Sequence, residues 1–353
     1  MPLGMKEVAA HAGVSAATVS KVLNRPESVP EQTRRRVNAS IRKLGYVRNE
    51  SARQLRVGRS RMIGLVVPDV SNPFFIDLAR GVEEVASKNG LVVILCNSDD
   101  EGGKQDRYLE ILEEHRVSGI LVTPVADAMS RLVRLRERGT PVVLVDRGSP
   151  SVGQCSVAVD DVLGGERAMS HLLAVGHERV AYLAGPLSVK QVADRYEGAL
   201  RALRALRRTD RSSADLLVVH ADGLSVAAGR EAGAAIAVMP AATRPTGVFC
   251  ANDLIALGLL QEMTRHGIRV PEDISMVGYD DIDFAAAAAV PLTSVRQPRY
   301  QLGLTAAELL IDEAARGEHH RHRQVIFEPD LVIRESTLPA AGGAAPEGRR
   351  VGR

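Results

Sequence analysis

The sequence has few cysteines and no long apolar run. Its three cysteines, Cys96, Cys155 and Cys250, form neither a CxxC pair nor an even-numbered framework, so we expect reduced, buried thiols in a cytosolic protein. No run of about eighteen apolar residues is present, so no membrane span is expected. The N-terminus lacks a basic segment followed by an apolar one, so no secretory signal is expected.

The common motifs of catalysis and cofactor binding are also missing. The sequence contains no GxxxxGK[ST], no GxGxxG after the first predicted strand, no HExxH and no GxSxG. We therefore predict neither an enzyme nor a cofactor. The segment GEHHRHR holds His319, His320 and His322, but it lies in a predicted polar loop without a cysteine partner, so no metal site is predicted.

Charge is unevenly distributed along the chain. Residues 1–59 hold twelve Lys or Arg and four acidic residues, a net charge of +8, whereas the remainder carries −6. A basic segment on an acidic body predicts contact with a polyanion. The alternative is a solvated basic surface on a small helical domain.

The stretch MKEVAAHAGVSAATVSKVLN, residues 5–24, predicts two short helices joined by a tight turn. Gly13 lies in the turn, and Ser15 is a good N-cap for a helix that begins at Ala16. A third helix is predicted over Glu31–Leu44, with Gly45 as its stop signal. A helix-turn-helix fits this pattern better than an ordinary helical hairpin.

In a helix-turn-helix, the second helix enters the major groove of DNA with its first residues at the base edges. Ala16 and Ala17 can touch thymine methyl groups, and Lys21 can reach guanine or a phosphate. Hydroxyls of the same segment suit phosphate contacts. The remaining predicted DNA contacts of this helix are Ser15, Thr18, Ser20 and Asn24.

From Met62 onward, the sequence alternates apolar runs with helical segments. Two such series follow each other, which predicts two doubly wound α/β domains with parallel sheets. After residue 290, the segments PLTSVRQ, a helix over Gln301–Arg316 and one strand, RQVIFEPDLVIRES, are expected to cross between the domains. The residues from Leu338 onward are low in complexity and predicted to be disordered.

Polar residues follow many of the predicted strands. Ligands of open α/β sheets bind beyond the carboxyl ends of the strands, so these positions predict a binding cleft. Carboxylates and amides there suit the vicinal hydroxyls of a sugar, and an arginine can bridge two of them. The strand-end residues are Asp69, Asn97, Ser98, Thr123, Asp146, Arg147, Asp222, Asn252, Asp253, Asp280 and Asp281.

Several motifs along the chain resemble the lactose-repressor (LacI) family. The resemblance rests on MKEVAAHAGVSAATVSKVLN, TRRRVNASIRKLGYVRN, VPDVSNPFF, VDR, DRYEGAL, CANDLIALG, ISMVGYDDID and PLTSVRQP, in that order over residues 5–336. The family implies a homodimeric bacterial repressor of the cytoplasm and nucleoid. It binds a palindromic operator in double-stranded DNA through an all-α headpiece and a hinge helix, and its core resembles periplasmic sugar-binding proteins.

The resemblance also assigns roles to individual positions. A hinge helix over Asn49–Arg56 would place Leu55 in the minor groove, with Asn49 and Ala52 beside it. A ligand held by both core domains would change their relative angle and order or melt the hinge helices. The implied effector contacts are Phe74, Phe75, Asp146, Arg195, Leu224, Asn252, Asp280 and Gln297.

Some positions depart from the family pattern. Leu224 stands where many members carry an aromatic residue, which removes a platform for sugar stacking. Glu50 and Ser51 replace a more usual basic residue of the hinge. Ala16 and Ala17 leave few hydrogen bonds for base readout. No heptad repeat follows residue 338, so a tetramer-forming tail is not expected.

The predicted domains follow from this pattern. They are a headpiece (1–47), a hinge and linker (48–60), a core (61–336) and a tail (337–353). Within the core, residues 61–158 and 291–320 form the first subdomain, and residues 159–290 and 321–336 form the second.

The predicted function is repression of carbohydrate genes under the control of a small sugar. NPFF, LCNSDDE and DDIDFAAA look most like the ribose-repressor branch, which implies a pentose. Three alternatives stay open: a corepressor-dependent regulator that answers to a purine or a phosphorylated protein, an extracytoplasmic solute-binding protein, and an α/β enzyme.

Overall fold

The computed structural model describes residues 4–46, 60–125, 129–209 and 214–338. The chain divides into two compact units, Met1–Ser60 and Arg61–Arg353. The predicted hinge contacts Asn49, Ala52 and Leu55 lie outside the described residues, as does most of the predicted tail. None of the described helices combines the length and apolar character needed to cross a bilayer.

The first unit is a three-helix domain. Its helices are α1 (Met5–Ala12), α2 (Ala16–Asn24) and α3 (Glu31–Leu44). A small core holds them together through Val8, Ala9, Ala12, Val19, Val22, Val29 and Val37. The predicted start of α2 and the bounds of α3 are confirmed. Gly13 and Gly45 both take the left-handed backbone conformation that ends α1 and α3.

The second unit contains two six-stranded sheets, as the alternating pattern predicted. The first sheet has the order β11-β5-β4-β3-β1-β2 and is entirely parallel. Its strands are β1 (Met62–Val67), β2 (Val92–Asn97), β3 (Gly119–Val122), β4 (Val142–Val145), β5 (Ser156–Val159) and β11 (Gln324–Phe327).

The second sheet has the order β12-β10-β9-β8-β6-β7, and β12 alone runs antiparallel to its neighbour. Its strands are β6 (Arg179–Ala184), β7 (Asp215–His220), β8 (Gly247–Cys250), β9 (Ser275–Asp280), β10 (Thr293–Arg296) and β12 (Asp330–Val332). We call the first sheet and its helices the first subdomain, and the second sheet and its helices the second subdomain.

Helices flank both sheets. They are α4 (Pro73–Lys88), α5 (Gly102–Glu114), α6 (Met129–Glu137), α7 (Asp161–Ala174), α8 (Lys190–Thr209), α9 (Val226–Ala237), α10 (Asp253–Arg265), α11 (Asp283–Ala286) and α12 (Arg299–Arg316). The cysteines Cys96, Cys155 and Cys250 are free and buried, as predicted.

Two expectations for the crossing segments are wrong. Residues 291–320 do not all belong to the first subdomain, because β10 pairs with β9 of the second sheet and the chain crosses only between Arg296 and Arg299. The segment RQVIFEPDLVIRES is not one strand of the second subdomain. Its β11 pairs with β5 of the first sheet and its β12 with β10 of the second. Pro329 cannot donate a backbone hydrogen bond, which suits a crossing point between two strands.

Glycines bring pairs of helices into close contact. A Cβ atom at Gly81 of α4 would lie 2.2 Å from the Tyr300 carbonyl oxygen of α12, and one at Gly303 would lie 2.0 Å from the Leu78 carbonyl oxygen. A Cβ at Gly165 of α7 would likewise lie 2.0 Å from the carbonyl oxygen of Arg195 on α8. The absence of these side chains sets the helix spacing and places Arg195 beside α7.

Candidate functional site

A cavity of about 440 Å³ lies at the carboxyl ends of the strands of both sheets. We call it the cleft. All eight predicted effector contacts line it: Phe74, Phe75, Asp146, Arg195, Leu224, Asn252, Asp280 and Gln297. The other strand-end residues divide into two groups. Asp69, Thr123, Arg147 and Asp222 line the cleft, whereas Asn97, Ser98, Asp253 and Asp281 lie outside its lining.

Arg195 is the electrostatic centre of the cleft. It is 5% exposed, and its Nε donates to Asp161 Oδ1 at 2.8 Å while Nη1 donates to the Ala251 carbonyl oxygen at 2.7 Å. Its Nη2 lies 3.9 Å from Asp280 Oδ1, and its guanidinium lies 3.7 Å from the centre of the Tyr279 ring. Burial opposes the charge, but these carboxylates raise the pKa of Arg195, so it stays cationic.

Asp146 meets this group from the first subdomain. Burial, together with repulsion from Asp161, raises its pKa well above the ordinary value, although Arg195 opposes the shift. Its Oδ1 atom is buried and has no hydrogen-bond partner among the described residues. The raised pKa favours the protonated carboxyl, which can both donate and accept a hydrogen bond, as a hydroxyl ligand requires.

Asp280 presents a second carboxyl group at the end of β9. Burial raises its pKa, while Arg195 and the amide of Gln297 oppose the shift. Gln297 Nε2 donates to Asp280 Oδ1 at 2.7 Å, and Gln297 Oε1 is buried without a partner within the part of the chain that is described. Asp146 and Asp280 both have positive φ, 57° and 104°. Such backbone strain concentrates at functional sites.

The apolar wall of the cleft includes the two predicted phenylalanines and Leu224. Phe74 and Phe75 are buried and pack edge to face, with ring centres 4.9 Å apart. They follow Asn72, whose side chain caps α4 by accepting from the Phe74 backbone N–H at 3.0 Å. Leu224 lies against Gly185, where a Cβ atom would come within 2.6 Å of the leucine side chain. The leucine therefore fills this wall without offering a ring face.

Asn252 lines the cleft, but the fold uses both ends of its amide. Its Oδ1 accepts from the Ile255 backbone N–H at 2.9 Å and so caps α10, and its Nδ2 donates to the Leu224 carbonyl oxygen at 3.2 Å. Asn252 thus positions the wall of the cleft through Leu224.

Two residues that join the subdomains were not predicted from the sequence. Gln191, at the start of α8, donates through Nε2 to the carbonyl oxygen and to Oδ2 of Asp146, at 2.6 and 2.9 Å. Arg299 at the start of α12 contacts Asp77 Oδ2 at 2.9–3.0 Å and donates to the Asp280 carbonyl oxygen at 2.5 Å. No local motif marks either residue, because each role depends on contacts between the two sheets.

The cleft carries more acidic than basic side chains. Arg147, Lys190 and Arg195 are its cations, and Lys190 is already paired with Asp194 at 2.7 Å. Its acidic side chains are Asp69, Asp99, Asp100, Asp146, Asp222 and Asp280. This balance favours a neutral ligand over a phosphorylated one.

In the three-helix headpiece, several of the predicted DNA contacts of α2 lie on the surface. Ala16, Ala17 and Lys21 are exposed on its surface, while Val19 and Val22 face the core. The side chain of Ser15 caps α2 by accepting from the Thr18 backbone N–H at 3.1 Å.

The other predicted contacts of α2 are partly engaged within the helix. The Thr18 hydroxyl lies 2.9 Å from Ser15 Oγ, and Asn24 Nδ2 donates to the Ser20 carbonyl oxygen at 2.8 Å. Thr18 and Ser20 are half-buried, and Asn24 is exposed. All seven residues nevertheless belong to one short helix and its cap.

Similarity to known proteins shows the family of the chain. The profile of bacterial regulatory proteins of the lacI family matches residues 4–49, and that of a periplasmic binding protein-like domain matches residues 169–337. Over 334 residues, the chain is 35% identical to the HTH-type transcriptional repressor PurR of Photobacterium profundum, an alignment that covers 94% of this chain and 98% of the relative. The chain belongs to the LacI family.

Solved structures of LacI-family proteins agree with this assignment. The Lac repressor dimer bound to operator and the anti-inducer ONPF is 27% identical with a TM-score of 0.82, over 96% of this chain and 100% of that one. A LacI-family regulator from Enterococcus faecium with bound ribose is 31% identical with a TM-score of 0.71, over 79% of this chain and 100% of that one. The protein is therefore a DNA-binding transcriptional repressor and not an enzyme.

Proposed function

We propose that this LacI-family protein represses carbohydrate-uptake or catabolism genes and that a small neutral sugar, a pentose such as ribose, controls its operator binding from the cleft. The observation that carries the proposal is the joint lining of one cavity by carboxyl and amide groups of both subdomains. The similar LacI-family regulator from Enterococcus faecium, whose structure holds ribose, supports a pentose.

The chemistry of the cleft supports a polyhydroxyl ligand. Asp146 from the first subdomain and Asp280 with Gln297 from the second offer hydrogen-bonding groups at one site, and two of these side chains have a buried oxygen without a partner among the described residues. A neutral sugar supplies hydroxyls that both donate and accept. A phosphate would add negative charge beside the acidic side chains, at an electrostatic cost.

Control of DNA binding follows from contacts across the cleft. A sugar held by both subdomains competes with or adds to the bridges made by Gln191 and Arg299. It therefore stabilises one relative position of the subdomains over another, by as much as its affinities for the two differ. In a homodimer on a palindromic operator, we expect that change to act through the segment containing Asn49, Ala52 and Leu55, in the bacterial cytoplasm and on the nucleoid.

A second candidate is a purine that acts as corepressor. The named relative PurR favours it, and Phe74 and Phe75 supply an apolar wall on which a flat base could pack. The absence of an aromatic ring at Leu224 weighs against it, because a base gains much of its binding energy by stacking between ring faces.

Isothermal titration calorimetry of the full chain tests the choice of ligand. The panel comprises ribose, xylose, arabinose, ribose 5-phosphate, hypoxanthine and guanine. We expect saturable binding of a neutral pentose and none of its phosphate ester. Binding of hypoxanthine or guanine alone would replace the sugar proposal with the purine one.

A further inference from the structure

A second group of polar side chains lies away from the cleft, at the amino-terminal edge of the first sheet. Cys155 directly precedes β5, His320 and His322 lie four and two residues before β11, and Glu313 lies in the last turn of α12. One donor atom from each residue lies within 4.8 Å of the other three. We call these four residues the Cys155 cluster; none of them lines the cleft.

The position of His320 is set by a carboxylate. Its Nδ1 lies 2.8 Å from Asp312 Oδ2, and because a carboxylate only accepts, Nδ1 carries the proton. The lone pair is then on Nε2, which lies 3.1 Å from Cys155 Sγ. A carboxylate behind a histidine in this way is the usual support of a metal-binding imidazole.

The other donors converge on the same thiol. His322 Nδ1 lies 3.7 Å from Cys155 Sγ and 3.9 Å from Glu313 Oε2. The Arg323 backbone N–H donates to Cys155 Sγ at 3.3 Å, so the sulfur lies at the centre of the group.

We propose that the Cys155 cluster binds one Zn²⁺ ion. Tetrahedral zinc with one sulfur and three nitrogen or oxygen ligands places its donor atoms roughly 3.3–3.6 Å apart. Three of the donor separations are 3.1, 3.7 and 3.9 Å, and all lie within 4.8 Å, so small side-chain movements would bring the four donors to tetrahedral spacing. A thiol–imidazole hydrogen bond alone accounts for Cys155 and His320. The metal-free alternative is a hydrogen-bonded group in which His322 contacts both Cys155 and Glu313.

Binding leaves no open coordination position, so the site is structural. Zinc displaces the thiol proton of Cys155, which passes to solvent, and no electron is transferred. The ion would join the starts of β5 and β11, which pair in parallel, to the end of α12. Both strands run on to crossings between the subdomains, so zinc would hold two of the connecting segments in place.

Metal analysis of the full chain tests the proposal. Bound metal is removed with EDTA, and the protein is reloaded with Zn²⁺ and dialysed. Zinc per chain is then measured by inductively coupled plasma mass spectrometry. We expect one zinc per chain, and a Co²⁺-loaded sample should show a thiolate-to-cobalt charge-transfer band with tetrahedral d–d bands. Cys155→Ser and His320→Gln should lose the metal, whereas the matched controls Cys96→Ser and His319→Gln should keep it.

A variant that leaves the four donor residues unchanged tests the site even if these substitutions prevent folding. Asp312→Asn keeps all four donors and should lower zinc affinity by roughly tenfold to a hundredfold through the orientation of His320. The proposal is overturned if the wild-type chain retains no zinc, if Cys155→Ser retains as much as wild type, or if the cobalt spectrum lacks the thiolate band. The test does not depend on the identity of the sugar.

Discussion

Arg195 serves the fold and the cleft together. Its guanidinium neutralises Asp161 and approaches Asp280, and all three side chains are buried. Removing it would leave two buried carboxylates without a cation, at a cost of about 3–5 kcal/mol. Loss of a sugar response in an Arg195 variant would therefore report on the fold as much as on the ligand, and neutral substitutions in the cleft are the better probes.

Asp146→Asn is the sharpest of these. A buried carboxyl with a raised pKa binds its proton more tightly in the folded chain than in the unfolded one, so its contribution to stability is lost as pH rises above the ordinary value of 3.8. The asparagine side chain does not titrate, so the variant does not lose this stability as the pH rises. We expect a gain of about 0.5–2 kcal/mol at neutral pH, growing with pH, and a weaker sugar response.

Thermal unfolding across a pH series measures the gain, and calorimetry measures sugar affinity. Asp106→Asn, at an exposed position of the same subdomain, is the control and should change neither. An Asp146 variant that is less stable than wild type at neutral pH would show that the carboxylate is a stabilising charge in the folded protein.

Lys21→Ala tests the exposed face of α2. Lys21 lies one turn beyond the start of the helix, and loss of a base contact costs about 1–3 kcal/mol in specific binding. We expect operator affinity to fall more than affinity for unrelated DNA in anisotropy titrations. Lys43→Ala, an exposed lysine at the end of α3, is the control; equal losses on both DNAs for Lys21→Ala would reduce its role to a general charge.

Helix pairs depend on close approach at glycine. In α4 and α12, a Cβ atom at Gly303 would overlap a backbone carbonyl, which cannot move as a side chain can. We expect Gly303→Ala to lower the free energy of unfolding by about 1–3 kcal/mol, measured by urea denaturation. Gly102→Ala, where a Cβ meets nothing within 4 Å, should leave stability unchanged or raised.

Arg299 joins elements of the two subdomains without lining the cleft. Lysine keeps its charge but cannot bridge Asp77 and the end of β9 together. We expect Arg299→Lys to weaken sugar binding about tenfold, because a charged hydrogen bond that favours this arrangement of the subdomains is lost. Arg296→Lys, whose partner Asp281 lies within the second subdomain, is the calorimetric control. Equal sugar affinities in the two variants would show that Arg299 does not link sugar binding to the arrangement of the subdomains.

Features formed by residues close together in the sequence could be predicted, whereas contacts between residues far apart in the chain could not. Helix α2, the strand series, the strand-end carboxyls and Arg195 on a following helix were inferred from local patterns, and the family resemblance added Gln297. The division of residues 323–336 between two sheets could not be predicted, because both halves are apolar and only the sheet edges decide their partners. Cys155 and His320 are 165 residues apart, so no local spacing brings them together.

The whole molecule couples a DNA-binding headpiece to a ligand cleft, and one titration tests that coupling. The purified full chain is mixed with a labelled fragment from upstream of its own gene, and fluorescence anisotropy is followed as ribose and the other neutral pentoses are added. We expect tight binding that one pentose reverses with a saturable dose-response, and a diminished response in Asp146→Asn. Tight binding that no pentose alters, while hypoxanthine or guanine strengthens it, would show that the cleft responds to a purine and not to a sugar.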